Sequence, residues 1–210
     1  FAYDVKSSSC CQQSPDPDET VFHLRGFAIE MPAAHRSLGF DEVSPAAAAK
    51  TLFGHLQPGD RVAITTRPYD ATGDKNRDAA ESFVRKYVHA LEAIGLSVRV
   101  ISDQTPLQDF CFLMKTQKEL IGSVRSTFVI WASILGNPIN TKLYMWDTIG
   151  LRKRFAGAMV NTTNSDGLLM HSQDLARIPS ATFLDQFQFA WTNPSLKSRI
   201  HFEAIPSEEL

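Results

Sequence analysis

At 210 residues and 43% hydrophobic content, the chain carries enough apolar material to bury a core of single-domain size. With 21 Lys+Arg against 23 Asp+Glu it lacks the basic excess that sequence-independent binding to nucleic acid or an acidic membrane requires, so an anionic partner must be met by a few placed groups. No apolar run reaches the roughly 18 residues of a membrane-spanning helix.

Residues 1–20 are rich in Ser, Gln, Pro and Asp without periodicity and read as a linker or disordered lead-in. The chain opens on Phe1 with no signal-peptide pattern, as a fragment or processed product would. Residues 21–25 (Val-Phe-His-Leu-Arg) predict a strand that ends at Gly26, and 27–43 predict an irregular loop interrupted by Pro32 and Gly39. Ser44-Pro45 supplies an N-cap and a proline at the first helical position for an Ala-rich helix to about Leu56. After the turn Pro58-Gly59-Asp60, residues 61–66 form a second strand. Residues 74–94 carry Ala79, Phe83, Tyr87, Leu91 and Ile94 at helical spacing, which predicts one apolar stripe closed by Gly95 as C-cap. A third strand (97–102), a helix from Pro106, a fourth strand (119–123), a buried helix (126–135) and a fifth strand (141–146) follow.

Alternation of strand and helix is the signature of parallel pairing through right-handed crossovers. Residues 21–148 therefore predict an α/β domain, a Rossmann-like open parallel sheet with flanking helices. Residues 149–210 read as a C-terminal extension packing on the same domain, turn-rich at 161–167 and with 200–205 as a candidate edge strand. Such sheets bind ligands at the carboxyl ends of their strands. Here those ends are Arg25-Gly26, Thr66-Arg67, Ser102-Asp103 and Ser123 to Thr127.

Two of these ends have the chemistry of an anion site. Arg25 offers a planar, permanently charged fork suited to phosphate, and Gly26 beside it allows close approach; the competing reading is a surface arginine at a strand end. At Ser126-Thr127 a helix begins directly after a strand, presenting free backbone N–H groups and two hydroxyls; the competing reading is N-capping by Ser126. The three cysteines give neither a zinc spacing nor a disulfide framework, and Cys111 reads as a small buried apolar side chain. His35, His55, His89, His171 and His201 show no metal-ligand spacing, Arg152-Lys153-Arg154 reads as a solvated basic face, and Trp131 reads as core.

His23-x-Arg25, the block Asp109-Phe110-Cys111-Phe112-Leu113-Met114, the strand Leu120-Ile121-Gly122-Ser123 and the run Ser126-Thr127-Phe128-Val129-Ile130-Trp131-Ala132 follow one another in an order that resembles fucosyltransferases of the α1,2, α1,6 and protein-O-linked groups. The resemblance spans residues 21–136. It implies one lobe of a two-lobed GT-B fold, GDP-fucose as donor, inversion at the transferred carbon, no required metal or cofactor, a glycan or glycoprotein acceptor, and the Golgi or ER lumen as location. Carried over by position, Arg25 stabilises the departing β-phosphate, with Ser126, Thr127 and Phe128 at the same diphosphate and His23 and Gly26 beside the arginine. Thr66 and Arg67 fall where base contacts lie, and Asp109 either holds the ribose or caps its helix. Where the family's arginine motif leads to an acid, this chain has Gly26-Phe27-Ala28, so the nearest candidate base is Glu30, ahead of Asp41. The alternative is a non-catalytic nucleotide- or glycan-binding scaffold domain of the same fold. A dinucleotide enzyme is disfavoured by the absence of G-x-G-x-x-G after any strand.

Overall fold

The computed structural model describes residues 13–25, 43–66, 74–102, 104–123, 126–146 and 193–205. Six strands, β1 (Thr20–His23), β2 (Arg61–Thr65), β3 (Ser97–Ile101), β4 (Glu119–Ser123), β5 (Asn140–Trp146) and β6 (Ile200–Ile205), form one all-parallel sheet in the order β3-β2-β1-β4-β5-β6. The helices are α1 (Pro45–Ala47), α2 (Asp74–Ala93), α3 (Pro106–Met114), α4 (Thr127–Leu135) and α5 (Pro194–Lys197). This is the Rossmann-like open α/β architecture. The candidate edge strand at 200–205 is present as β6, parallel to β5. None of the helices among the described residues is long and apolar enough to cross a membrane.

A sheet covered on both faces needs strands that are apolar on both faces, and successive side chains then divide between two cores. Phe22, Val62, Ile64 and Ile121 pack with Leu52, Phe53 and the α2 residues Val84, Tyr87 and Leu91. Their neighbours Val21, Ala63, Leu120 and Leu143 pack with Phe112 to Met114 of α3, Val129 and Ile130 of α4, and Leu196 of α5. Phe22 is the node of the first core, its ring centroid 5.3 Å from Phe53 and 6.0 Å from Tyr87. The buried Tyr87 hydroxyl donates to the Val43 carbonyl, which satisfies the one polar group that ring brings inside.

Several element bounds differ from expectation for local reasons. The strand expected over 21–25 stops at His23, although the Leu24 N–H still donates to the Thr65 carbonyl at 2.9 Å. The Ala-rich helix is capped by the Ser44 side chain but is α-helical only through Ala47. It then widens to a π-helix over Ala48–Leu52, closed by the Phe53 N–H donating to the Ala48 carbonyl at 3.3 Å. On α2 the buried stripe is Val84, Tyr87 and Leu91, with Phe83 half-buried at its margin. Ala79 is exposed, and Ile94, 40% exposed, falls in the turn after the helix ends at Ala93. Gly95 closes that turn with φ +86°, a conformation side-chain-bearing residues resist.

Candidate ligand site at the switch point of the sheet

In this strand order the chain leaves β1 toward one edge of the sheet and β4 toward the other. The carboxyl ends of β1 and β4, which are hydrogen-bonded neighbours, therefore open a crevice where crossovers diverge. Four of the residues singled out in the sequence collect there from three elements: His23 at the end of β1 with Arg25 just beyond it, Asp109 on α3, and Ser126 at the cap of α4.

His23 is 3% exposed. Its Nδ1 lies 3.1 Å from the Thr65 Oγ1 at the end of β2, and its ring stacks on Phe128 at 6.2 Å and 14° between planes. Nε2 is buried with no hydrogen-bond partner. Burial first, and the nearby Arg25 charge second, push the imidazole down to about 3, so it is neutral at physiological pH. Two cations this close are avoided by keeping one ring uncharged, and the charge that remains is the guanidinium.

Asp109 is 6% exposed and does not cap its helix. That reading is overturned because Thr105 and Gln108 already form a reciprocal capping box, the Thr105 side chain accepting from the Gln108 N–H at 3.3 Å and Gln108 from the Thr105 N–H at 2.8 Å. The Asp109 Oδ1 is left buried without a partner. Burial raises its carboxyl to about 7, against the opposing pull of Arg25.

Ser126 occupies the N-cap of α4, yet its side chain makes no capping hydrogen bond. Its Oγ is buried and without a partner, so capping does not explain this serine. The backbone makes the turn unaided, with the Ser126 N–H donating to the Ser123 carbonyl at 2.9 Å and the Ile130 N–H to the Ser126 carbonyl at 3.2 Å. The N–H groups of the first turn remain, by helix geometry, without an intrahelical acceptor. Thr127, the first residue of α4, is exposed, and Phe128 is half-buried between His23 and the edge-on ring of Phe110, 5.7 Å away.

Thr66 is buried one residue beyond β2, with its N–H donating to the Ile101 carbonyl at 3.1 Å. It is Thr65, not singled out by the sequence, whose hydroxyl meets His23. Gly26, Glu30, Arg67, Asp41, Asp103 and the 152–154 basic run lie outside the described residues. Trp131 is not core: it is 37% exposed on the outer side of α4. Cys111 is fully buried, as its reading as a small buried side chain expects, and it is also disulfide-bonded, with its partner outside the described residues. Among the described residues no group of three His, Cys, Asp or Glu is placed to hold a metal ion.

The arrangement provides one guanidinium, a helix N-terminus, and three buried atoms that ask for partners: an imidazole nitrogen, a hydroxyl and a carboxyl oxygen. Such a set suits a ligand that is anionic at one end and hydrogen-bonding beside it. Comparison with protein-family models, with curated proteins and with solved structures finds no match to this chain.

Proposed function

We propose that this crevice is the nucleotide-diphosphate site of an inverting glycosyltransferase, with GDP-fucose as donor and a glycan or glycoprotein as acceptor. The observation that carries the reading is the pair of buried, unpartnered atoms His23 Nε2 and Asp109 Oδ1 near Arg25, with the equally unpartnered Ser126 Oγ at the cap of α4, whose Phe128 stacks on His23. A buried polar group without a hydrogen bond costs about 1–3 kcal/mol, a cost a bound ligand offsets. The order of the motifs along the chain supports fucose as the sugar, and a disulfide at Cys111 agrees with an oxidising compartment such as the secretory lumen.

On this reading the acceptor hydroxyl attacks the anomeric carbon while the bond from that carbon to the β-phosphate oxygen breaks. The diphosphate leaves with the bonding pair, and its added charge is met by Arg25 and by the Ser126 and Thr127 end of α4. The acceptor proton passes to a carboxylate, for which Glu30 is the candidate.

Calorimetric titration with GDP and UDP tests the proposal. GDP binding should be weakened by about 1.5–3 kcal/mol in Arg25→Ala, the range for a charged hydrogen bond. Ser126→Ala should weaken it too while leaving thermal stability intact, since no cap is lost. A preference for UDP moves the donor away from fucose. Failure of the wild type to bind either nucleotide overturns the donor-site reading in favour of the scaffold alternative.

A further inference from the structure

On the outer side of Phe128, α3 and α4 part to leave a groove of about 670 Å³ whose walls include Leu107 and Phe110 from α3 and Thr127, Phe128, Trp131 and Leu135 from α4. Its volume falls in the range of small-molecule sites. Leu107 is 44% exposed on one wall and Trp131 37% on the other, so the apolar surface is contiguous across two helices rather than scattered singly. Phe128 belongs to both sites: His23 stacks on its ring at 6.2 Å, and the same side chain lines the groove.

The chemistry of the lining selects the occupant. Among the described residues the lining's polar groups are the Thr127 hydroxyl and the Trp131 indole N–H, too few for a sugar chain or the polar edge of a nucleobase to replace the water it gives up. An aromatic group gives up little, and it meets rings already set for edge-to-face contact, Phe110 and Phe128 standing at 77° to each other.

We infer that this groove binds an aryl group carried by the acceptor beside its sugar chain, placing that aryl group next to the switch-point crevice. The inference rests on the donor-site reading for the role of its ligand as acceptor, and on the groove alone for the class of ligand.

The test is titration of the chain with 1-naphthol, alone and with saturating GDP, for wild type and Leu107→Glu. Leu107 is largely exposed, so the substitution leaves folding intact, which circular dichroism checks. Wild type should bind 1-naphthol, Leu107→Glu should lose at least tenfold in affinity, and GDP affinity should be equal in both proteins. No 1-naphthol binding at millimolar concentration overturns the inference and leaves the GDP reading standing. Binding of 1-naphthol without any GDP binding keeps the aryl site and removes its assignment to an acceptor. Displacement of 1-naphthol by GDP assigns the groove to the nucleotide and overturns the inference. Concentration-dependent self-association of wild type that Leu107→Glu abolishes gives the groove to a second copy and equally overturns it.

Discussion

At the scale of single residues, the candidate site is defined by two buried groups whose titrations oppose each other. His23 is held down to about 3 and Asp109 up to about 7, each chiefly by burial. An imidazole that binds its proton less tightly in the folded state costs stability as pH falls below its ordinary value near 6.5. A carboxyl that binds its proton more tightly in the folded state contributes stability below its ordinary range near 4 and loses it as pH rises toward 7. Between about pH 4 and 6.5 the two slopes, each about 1.4 kcal/mol per pH unit, cancel. Asp109→Asn removes one of them. Relative to wild type, the variant should gain about 1.4 kcal/mol of stability per pH unit from pH 4.5 to 6.5, measured by urea unfolding at both pH values. A constant difference between the two proteins would mean that Asp109 titrates normally and the crevice is wetter than its burial implies.

At the scale of elements, the position of α4 decides whether the site exists, and Gly122 decides the position of α4. A Cβ built on Gly122, in the penultimate position of β4, would lie 2.7 Å from the Val129 Cγ2 on the first turn of α4. The helix seats its N-terminus against the strand only because no side chain intervenes. Gly122→Ala should destabilise the fold by about 1–3 kcal/mol, as overpacking does, and Val129→Ala in the same chain should restore part of that loss. Chemical denaturation of the single and double variants measures both effects; an innocuous Gly122→Ala would show that the helix has room to move. The approach also explains what was legible in the sequence. Alternating apolar strands and capped helices announce the sheet, because a parallel sheet leaves a buried run in its inner strands, here β1, β2 and β4. Thr105-Pro106-Leu107-Gln108 is likewise a readable capping box, and attending to it would have released Asp109 from the cap role. The idleness of the Ser126 hydroxyl and the contact of His23 with Thr65 were not readable, because they depend on the register between strands and on how closely α4 sits to β4. Trp131 was misplaced for a related reason: α4 is apolar nearly all round, so periodicity does not reveal which face meets α3 and the sheet.

At the scale of the whole molecule, the two edges of the sheet carry different kinds of polar chemistry. At the amino-terminal edge every charge described is answered. Glu19, 2% exposed, accepts both arms of Arg99 at 2.7 and 2.5 Å. Glu119, 3% exposed, accepts from the Asn140 side chain at 2.7 Å and meets His55 at 2.9 Å and Lys142 at 3.4 Å. At the carboxyl edge, buried atoms of His23, Asp109 and Ser126 lack partners. Unpartnered buried atoms occur at the amino-terminal edge as well, the Asn140 Oδ1 and Thr141 Oγ1 among them; those of His23, Asp109 and Ser126 differ in lying at the switch point, beside the N-terminus of α4. Glu119→Ala takes the carboxylate from Lys142, His55 and Asn140. Among the described residues it leaves the Lys142 charge only the Leu52 carbonyl and the His55 ring, and it should cost about 3 kcal/mol in urea unfolding, as removal of one member of a buried ion pair does. The span of β4 separates Glu119 from Ser123 by four residue steps, roughly 13 Å at strand geometry. Sites that far apart with no shared partner act additively. GDP affinity of folded Glu119→Ala should therefore match wild type, and the stability change in Asp109→Asn/Glu119→Ala should equal the sum of the single changes. A tenfold loss of GDP affinity in folded Glu119→Ala would mean that the edges are coupled through β4, and that the amino-terminal network holds the site as well as the fold.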